Sequence, residues 1–221
     1  MASKKVYLVK NLSPWMLDEL LAFADLTSYT VLLLRTPESK YTHQLSLLKD
    51  KGIQVITNPY RFNISIHKLF IAIRMILSYP AAFLSGYSAV VGWKSLVWFL
   101  RLDERKIAPD ANLHAQFATQ PALIALLLKL QRRSITYTFT FHAYDIYFNN
   151  RWFRPLVKHC EHAFSISDYN VNYVKEKFTG LAADRLIVSR LGAFAPANAV
   201  PSDPSVPFTI GFLGRFVEKK G

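Results

Sequence analysis

His142 and Asp145 stand three residues apart in the run FHAYDIY, directly after ITYTFTF, a stretch rich in β-branched and aromatic residues. A histidine at a strand terminus, neutral near pH 7, can hydrogen-bond a hydroxyl or move a proton. Asp145 can orient that histidine or bind a hydroxyl itself. The same spacing also fits a helix start at which Asp145 accepts from backbone amides. A second chemical signal lies in GFLGRFVEKKG, where an apolar run leads into Gly214, Arg215, Lys219, Lys220 and Gly221. Arg215 and Lys220, five residues apart and framed by glycines, can clamp two phosphates, one with a planar fork of donors and one with a point charge. Neutralising a departing diphosphate lowers the barrier to its departure. A solvated basic turn is the competing reading.

Three further segments carry polar side chains at expected strand ends. His114 in NLHAQFA can line a cleft or can be a packed, hydrogen-bonded strand residue. In SISDYN, Ser167 or Asp168 can cap a helix and turn its amides toward a cleft. Arg190 and Gly192 close the run SRLGAF, and Gly192 permits close backbone approach or a positive φ. In an open parallel sheet, ligands bind beyond the carboxyl ends of the strands, which is where these residues fall.

The elements that must position them alternate along the chain. Apolar runs at residues 5–9, 29–34, 53–56, 112–117, 135–141, 163–166 and 186–191 read as strands. Helical patterns lie between them at 14–26, 39–51, 121–132, 151–160 and 169–178, with a long helical region from about 65 to 105. Ser13 followed by Pro14 is a helix start, and Gly52 a helix stop. Repeated β-α units predict an α/β fold with a mostly parallel sheet and helices on both faces. PANAVPSDPSVP holds four prolines in twelve residues and reads as an extended linker over 196–207. A new strand is expected at 208–213. The expected division is therefore a domain over 1–195, the linker, and the start of a second domain over 208–221.

The 221 residues are 51% hydrophobic and 14% aromatic, enough for a sizeable core, which excludes wholesale disorder. A net charge of +12 favours anionic partners. The single cysteine, Cys160, excludes an internal disulfide and a multi-cysteine zinc site. No GxGxxG and no Walker A loop occurs, which counts against a dinucleotide enzyme or an ATPase. The basic N-terminal run MASKKVYLVKNL is too short in apolar residues for a signal peptide, so the expected location is cytoplasmic.

Residues 75–93 carry no formal charge, yet Pro80, Gly86 and Gly92 and several hydroxyl residues argue against a membrane span. Residues 61–106 sum to +5 and include Phe83, Trp93, Trp98 and Phe99. They read either as core helices joined near Pro80 to Gly86 or as a surface resting on acidic lipid at the inner face of the plasma membrane.

GRFVEKKG, preceded by an apolar strand and a proline-rich linker, resembles the GR-x-x-x-x-KG donor-phosphate motif of glycosyltransferase family 4, retaining enzymes of GT-B fold. FHAYDIY resembles the HG-x-D segment of their first domain. NLHAQFA, ISDYN and RLGAF are similar to further segments of it, and the whole is most like exopolysaccharide and colanic-acid-type bacterial enzymes. The resemblance implies the Rossmann-like N-terminal half of a GT-B fold, with a stub of the second domain. It implies a sugar transferase, of hexosyltransferase type, acting with retention from a nucleotide-sugar donor such as a UDP- or GDP-sugar. The acceptor would be a lipid-linked glycan or a polysaccharide. Gly214, Arg215 and Lys220 would bind the donor diphosphate. His142 would contact the transferred sugar or the acceptor, and Asp145 would support it. No metal or other cofactor is implied, because basic side chains take the metal's place.

The chain also departs from the family. Its first loop, KNLSPW, has no glycine, and Phe194 stands where relatives often have aspartate. The family's paired-glutamate segment is absent, so these 221 residues alone are expected to show little or no transfer. Two other classes stay open: a dehydrogenase-like enzyme, and a non-catalytic anion- or nucleic-acid-binding module. The aromatics do not alternate with Lys and Arg as a base-stacking surface requires, so nucleic acid is not expected as a partner.

Overall fold

The computed structural model describes residues 4–57, 59–61, 64–148 and 150–190. Gly192, Phe194, Gly214, Arg215 and Lys220, the proline-rich stretch 196–207 and the strand expected at 208–213 lie outside the described residues.

Seven strands form one parallel sheet: β1 (Lys5–Val9), β2 (Thr30–Leu33), β3 (Gln54–Ile56), β4 (Asn112–Gln116), β5 (Thr136–Phe141), β6 (Ala163–Ser165) and β7 (Leu186–Val188). Their order is β3-β2-β1-β4-β5-β6-β7. The order of connection reverses between β1 and β4, which opens a crevice at their carboxyl ends. This is a Rossmann-like α/β sheet with helices on both faces. All seven strands sit where apolar and β-branched runs predict them, shortened at some ends.

On one face, α1 (Pro14–Ala24) and α2 (Thr42–Asp50) cover β1 to β3. Tyr7, Val9, Val31 and Leu33 point into that layer and meet Leu17, Leu20 and Leu48. The other face carries the larger core. Its helices are α6 (Gln120–Gln131), α8 (Phe153–His159), which follows β5 through the five-residue α7 (Ala143–Tyr147), and α9 (Asp168–Lys177). Every residue from 120 to 128 is buried. Helix α6 is apolar all round because it has a layer on each side, the sheet beneath and further helices above.

Those outer helices come from the long helical region expected over about 65–105, with its joint near Pro80 to Gly86. It divides into α3 (Ile66–Ser78), α4 (Pro80–Leu84) and α5 (Gly86–Arg101). Pro80 sits in the first turn of α4, and Gly86, at φ +42°, turns the chain into α5. Among the described residues no helix is long and apolar enough to cross a membrane. The ammonium of Lys68, buried under α3, donates to the Leu102 carbonyl at 2.6 Å and lies 5.6 Å from the centre of the Phe99 ring. This ties the start of α3 to the end of α5.

Gly92 is where α5 meets the core most closely. A Cβ placed there would lie 2.7 Å from Trp152 Cζ2 and 2.9 Å from Phe83 Cε1, both in buried rings. Alanine in a helix gains roughly 1 kcal/mol over glycine, whereas forcing a methyl into a packed core costs about 1–3 kcal/mol. The rings are wedged and cannot retreat cheaply. Gly92→Ala is therefore expected to lower the thermal midpoint by several degrees, read by circular dichroism; an unchanged or raised midpoint would show that the rings give way.

The face that α1 and α2 cover changes character along the sheet. On β4 and β5, side chains alternate strictly: Leu113, Ala115, Tyr137, Phe139 and Phe141 enter the large core, while His114, Gln116, Thr136, Thr138 and Thr140 point the other way.

Candidate functional site

The crevice predicted by topology is lined by loops after β1, β4 and β5. After β1 the chain runs through Lys10 to Ser13, which occupies the N-cap position of α1 without a side-chain cap bond, and Pro14 presets the first turn. Trp15 therefore stands at the mouth of α1. After β4 comes Phe117, a non-glycine residue at φ +76°. A bulky side chain in the left-handed region costs on the order of 1–3 kcal/mol and persists only where its surroundings enforce it. After β5 comes His142.

These three rings form a box. The His142 ring centre lies 4.8 Å from Phe117 and 5.5 Å from Trp15, and Trp15 meets Phe117 edge-on at 6.2 Å. All three are half-buried. Burial lowers the His142 pKa from its ordinary value, leaving a neutral imidazole at pH 7. Its Nε2 is shielded from solvent and has no hydrogen-bond partner among the described residues. Ser13 Oγ, on the facing loop, is in the same condition. A neutral ring nitrogen held beside aromatic rings, with no hydrogen bond made, is suited to a hydroxyl-bearing ligand.

The strained loop is held from behind. Asp145 is fully buried, and its Oδ2 accepts from the amides of His142 at 3.0 Å and Ala118 at 3.2 Å. Asn150, also buried, donates through Nδ2 to the Ala118 carbonyl at 2.8 Å and accepts at Oδ1 from the Trp152 amide at 3.1 Å. Both polar groups of Ala118 are thereby fixed, and Phe117 before it is kept in its unfavourable conformation. Burial raises the Asp145 pKa to about 7, against the two amide bonds that favour the carboxylate. The Asp145 carboxylate thus bonds backbone amides, and the His142 side chain in turn accepts from the Asp145 amide, closing a capping box. It is a positioning residue, acting on His142 through the backbone of the loop that carries it.

The remaining expected residues are dispersed. His114 lies on the sheet face, its Nδ1 2.8 Å from Thr138 Oγ1 and its Nε2 3.1 Å from Thr140 Oγ1. Burial presses its pKa to about 4. With both nitrogens engaged it has none to offer a cleft, and among the described residues no contact joins it to His142. Ser167 caps α9, accepting from the Asn170 amide at 3.3 Å, and Arg190 pairs with Asp168. Both stand at the carboxyl ends of β6 and β7, on the same sheet edge as His142, and both are already engaged. Burial pushes the Cys160 thiol up to about 12, so it is not a nucleophile. Among the described residues no cluster of three or more His, Cys, Asp or Glu is arranged to hold a metal ion.

Sequence reasoning missed Trp15, Phe117 and Asn150. Trp15 comes after Pro14 at a helix start, and that placement was the available signal; a phenylalanine in the left-handed region leaves none. It also missed a group of cations near the β1 and β2 ends. Lys10 directly succeeds β1 and Arg35 lies just beyond β2, on adjacent strands joined by the Leu34 amide to the Val9 carbonyl at 2.8 Å. The Lys10 pKa is lowered, first by burial and then by the neighbouring Arg35 and Lys94.

No protein-family model matches the chain, and no curated protein matches it. Among solved structures it is similar to a glycosyltransferase from Rickettsia africae ESF-5, at 11% identity and a TM-score of 0.46, over 84% of this chain and 42% of that one. It is also similar to Arabidopsis thaliana UGT89C1 complexed with UDP-L-rhamnose, at 15% identity and a TM-score of 0.40, over 87% of this chain and 54% of that one. The chain thus spans about half the length of each.

Proposed function

We propose that this chain is the acceptor-side domain of a GT-B glycosyltransferase related to family 4. It takes part in sugar transfer from a nucleotide-sugar to a lipid-linked glycan or polysaccharide, with retention. The observation that carries the reading is the His142 box: a neutral, unsatisfied imidazole between two aromatic rings, at the switch point of a parallel sheet. Aromatic faces stack on the apolar faces of sugar rings, and the ring nitrogen supplies the polar contact that fixes a hydroxyl. Tyr144 and Phe148, exposed on and just after α7 with ring centres 4.6 Å apart and packed against Tyr87, give a longer glycan a further surface to rest on. Arg215 and Lys220 remain the residues assigned to the donor diphosphate by their motif. The glycine-free loop after β1 disfavours a dinucleotide enzyme.

The test is release of nucleoside diphosphate from UDP- and GDP-sugars by the complete gene product, with a lipid-linked glycan as acceptor. Acceptor-dependent release supports the reading. Absence of release from every sugar nucleotide, together with tight NAD binding or strongly salt-dependent DNA binding, overturns it.

A further inference from the structure

Helix α3 is apolar on two sides. Ile71, Ala72 and Met75 face the core. Ile66, Leu69, Phe70, Ile73 and Leu77, spaced three, four, seven and eleven residues from the first, form a second stripe that faces outward. Ile66 is 87% exposed, Phe70 60% and Leu77 74%. Helix α5 repeats the arrangement, with Val91, Leu96 and Phe99 inward and Val90, Trp93 and Val97 outward. Both helices turn their inner sides to the same core, so their outer stripes face away from it together. Single exposed apolar residues are ordinary, but a contiguous set on neighbouring helices marks a surface with a partner.

The charge on this surface has one sign. No Asp or Glu occurs anywhere from residue 51 to residue 102. Arg74, Lys94 and Arg101 lie among the outward positions of α3 and α5, and Lys94 comes near Lys10 at the sheet edge. A second copy docking here would set these cations against their own kind with no carboxylate to pair them. An anionic bilayer supplies what the surface lacks, acyl chains for the stripe and phosphates for the cations. Trp93, half-exposed, with its indole N–H donating to the Phe83 carbonyl at 3.2 Å, is the residue type that settles at a lipid interface.

We infer that the outer faces of α3 and α5 dock on an anionic lipid bilayer, lying in its interface, with the carboxyl edge of the sheet turned toward the headgroups on the Lys94 side. The placement refines the +5 region read from sequence. Arg105 is spent on Asp103, with bonds of 2.8 and 2.9 Å, so the cations that reach the lipid are Lys94, Arg101 and Arg74. This inference stands apart from the proposed transfer activity, because it is measured without substrate.

The test is co-sedimentation of the chain with phosphatidylglycerol–phosphatidylcholine vesicles and with pure phosphatidylcholine vesicles. Binding to the first should exceed binding to the second and weaken with salt. Phe70→Gln with Leu77→Gln should weaken it about tenfold, by removing apolar area from the interface. Lys94→Gln with Arg101→Gln should weaken it comparably and flatten the salt dependence. All four side chains are exposed, so an unchanged melting curve shows that each variant is folded. The inference is overturned if the chain ignores both vesicles, or if the apolar pair leaves binding unchanged. It is equally overturned if the chain is a dimer that the apolar pair converts to monomer.

Discussion

Replacing His142 by alanine should cut the rate of sugar transfer by the complete gene product about a hundredfold or more, the range over which a positioned acid-base group acts. The reason is local. The imidazole is the one titratable side chain of the three, its Nε2 has no hydrogen-bond partner among the described residues, and it sits against both aromatic rings. The pH profile separates chemistry from packing. Because burial lowers the His142 pKa, the active neutral form should persist below the ordinary histidine value of about 6.5, and activity should fall only at more acid pH. His142→Gln retains a hydrogen-bonding end but cannot titrate, so any residual activity should lose that acid limb. His142→Phe keeps the aromatic contacts with Trp15 and Phe117 and should be as slow as alanine while melting near the wild-type temperature. Full activity in the alanine variant would remove His142 from the mechanism.

The second large effect concerns stability. Asp145→Ala removes the acceptor for two buried amides, each worth about 1–3 kcal/mol when left unsatisfied, and frees the loop that holds Phe117. A loss of roughly 3 kcal/mol is expected in denaturant unfolding. Asp145→Asn keeps an acceptor oxygen and should lose much less. The two also differ with pH. The folded-state pKa of Asp145, about 7, lies above its unfolded value of 3.8. Between those values the native protein holds a proton that the unfolded chain has released, so this group's contribution to stability declines as pH rises from about 4 to 7. His114, His142 and His159 are shifted down by burial and act in the opposite sense, their contribution growing as pH rises toward 6.5. The difference between wild type and Asp145→Asn cancels the histidines. On passing from pH 5 to 8, wild type should lose stability relative to the asparagine variant. A flat difference would mean that Asp145 is ionised throughout.

Much of the architecture was legible because each strand is an apolar run bounded by turn residues. Residues 135–141 could hardly be anything but a strand, and α6 announces itself by length and by leucine content. The region 65–105 was harder: its inner and outer stripes are both apolar, so periodicity shows no break there, and only the breakers Pro80 and Gly86 marked the corners. Helix α7 escaped notice because five residues are too few to establish a period, although the Asp145 spacing fits its first turn. His142 was legible from its place at the carboxyl end of a central strand. Its box was not, because the partners come from loops 25 and 127 residues away in the chain. One readable signal went unused. The alternation in NLHAQ and TYTFT belongs to a strand with one polar face, unlike the continuous apolar run of a strand covered on both sides. It marks the half of the sheet that α1 and α2 do not reach.

The burial of α6 has a consequence for the order in which the molecule is made. The outer helices leave the ribosome first, and the helix beneath them is completed about fifty residues after the end of α3 and about thirty after the end of α5. At about 5–20 residues per second, this leaves the inner stripes of α3 and α5 bare for several seconds. During that interval the nascent segment is apolar on both sides and carries no acidic side chain. A chaperone or the lipid surface itself is the natural shelter until α6 arrives and closes the inner side.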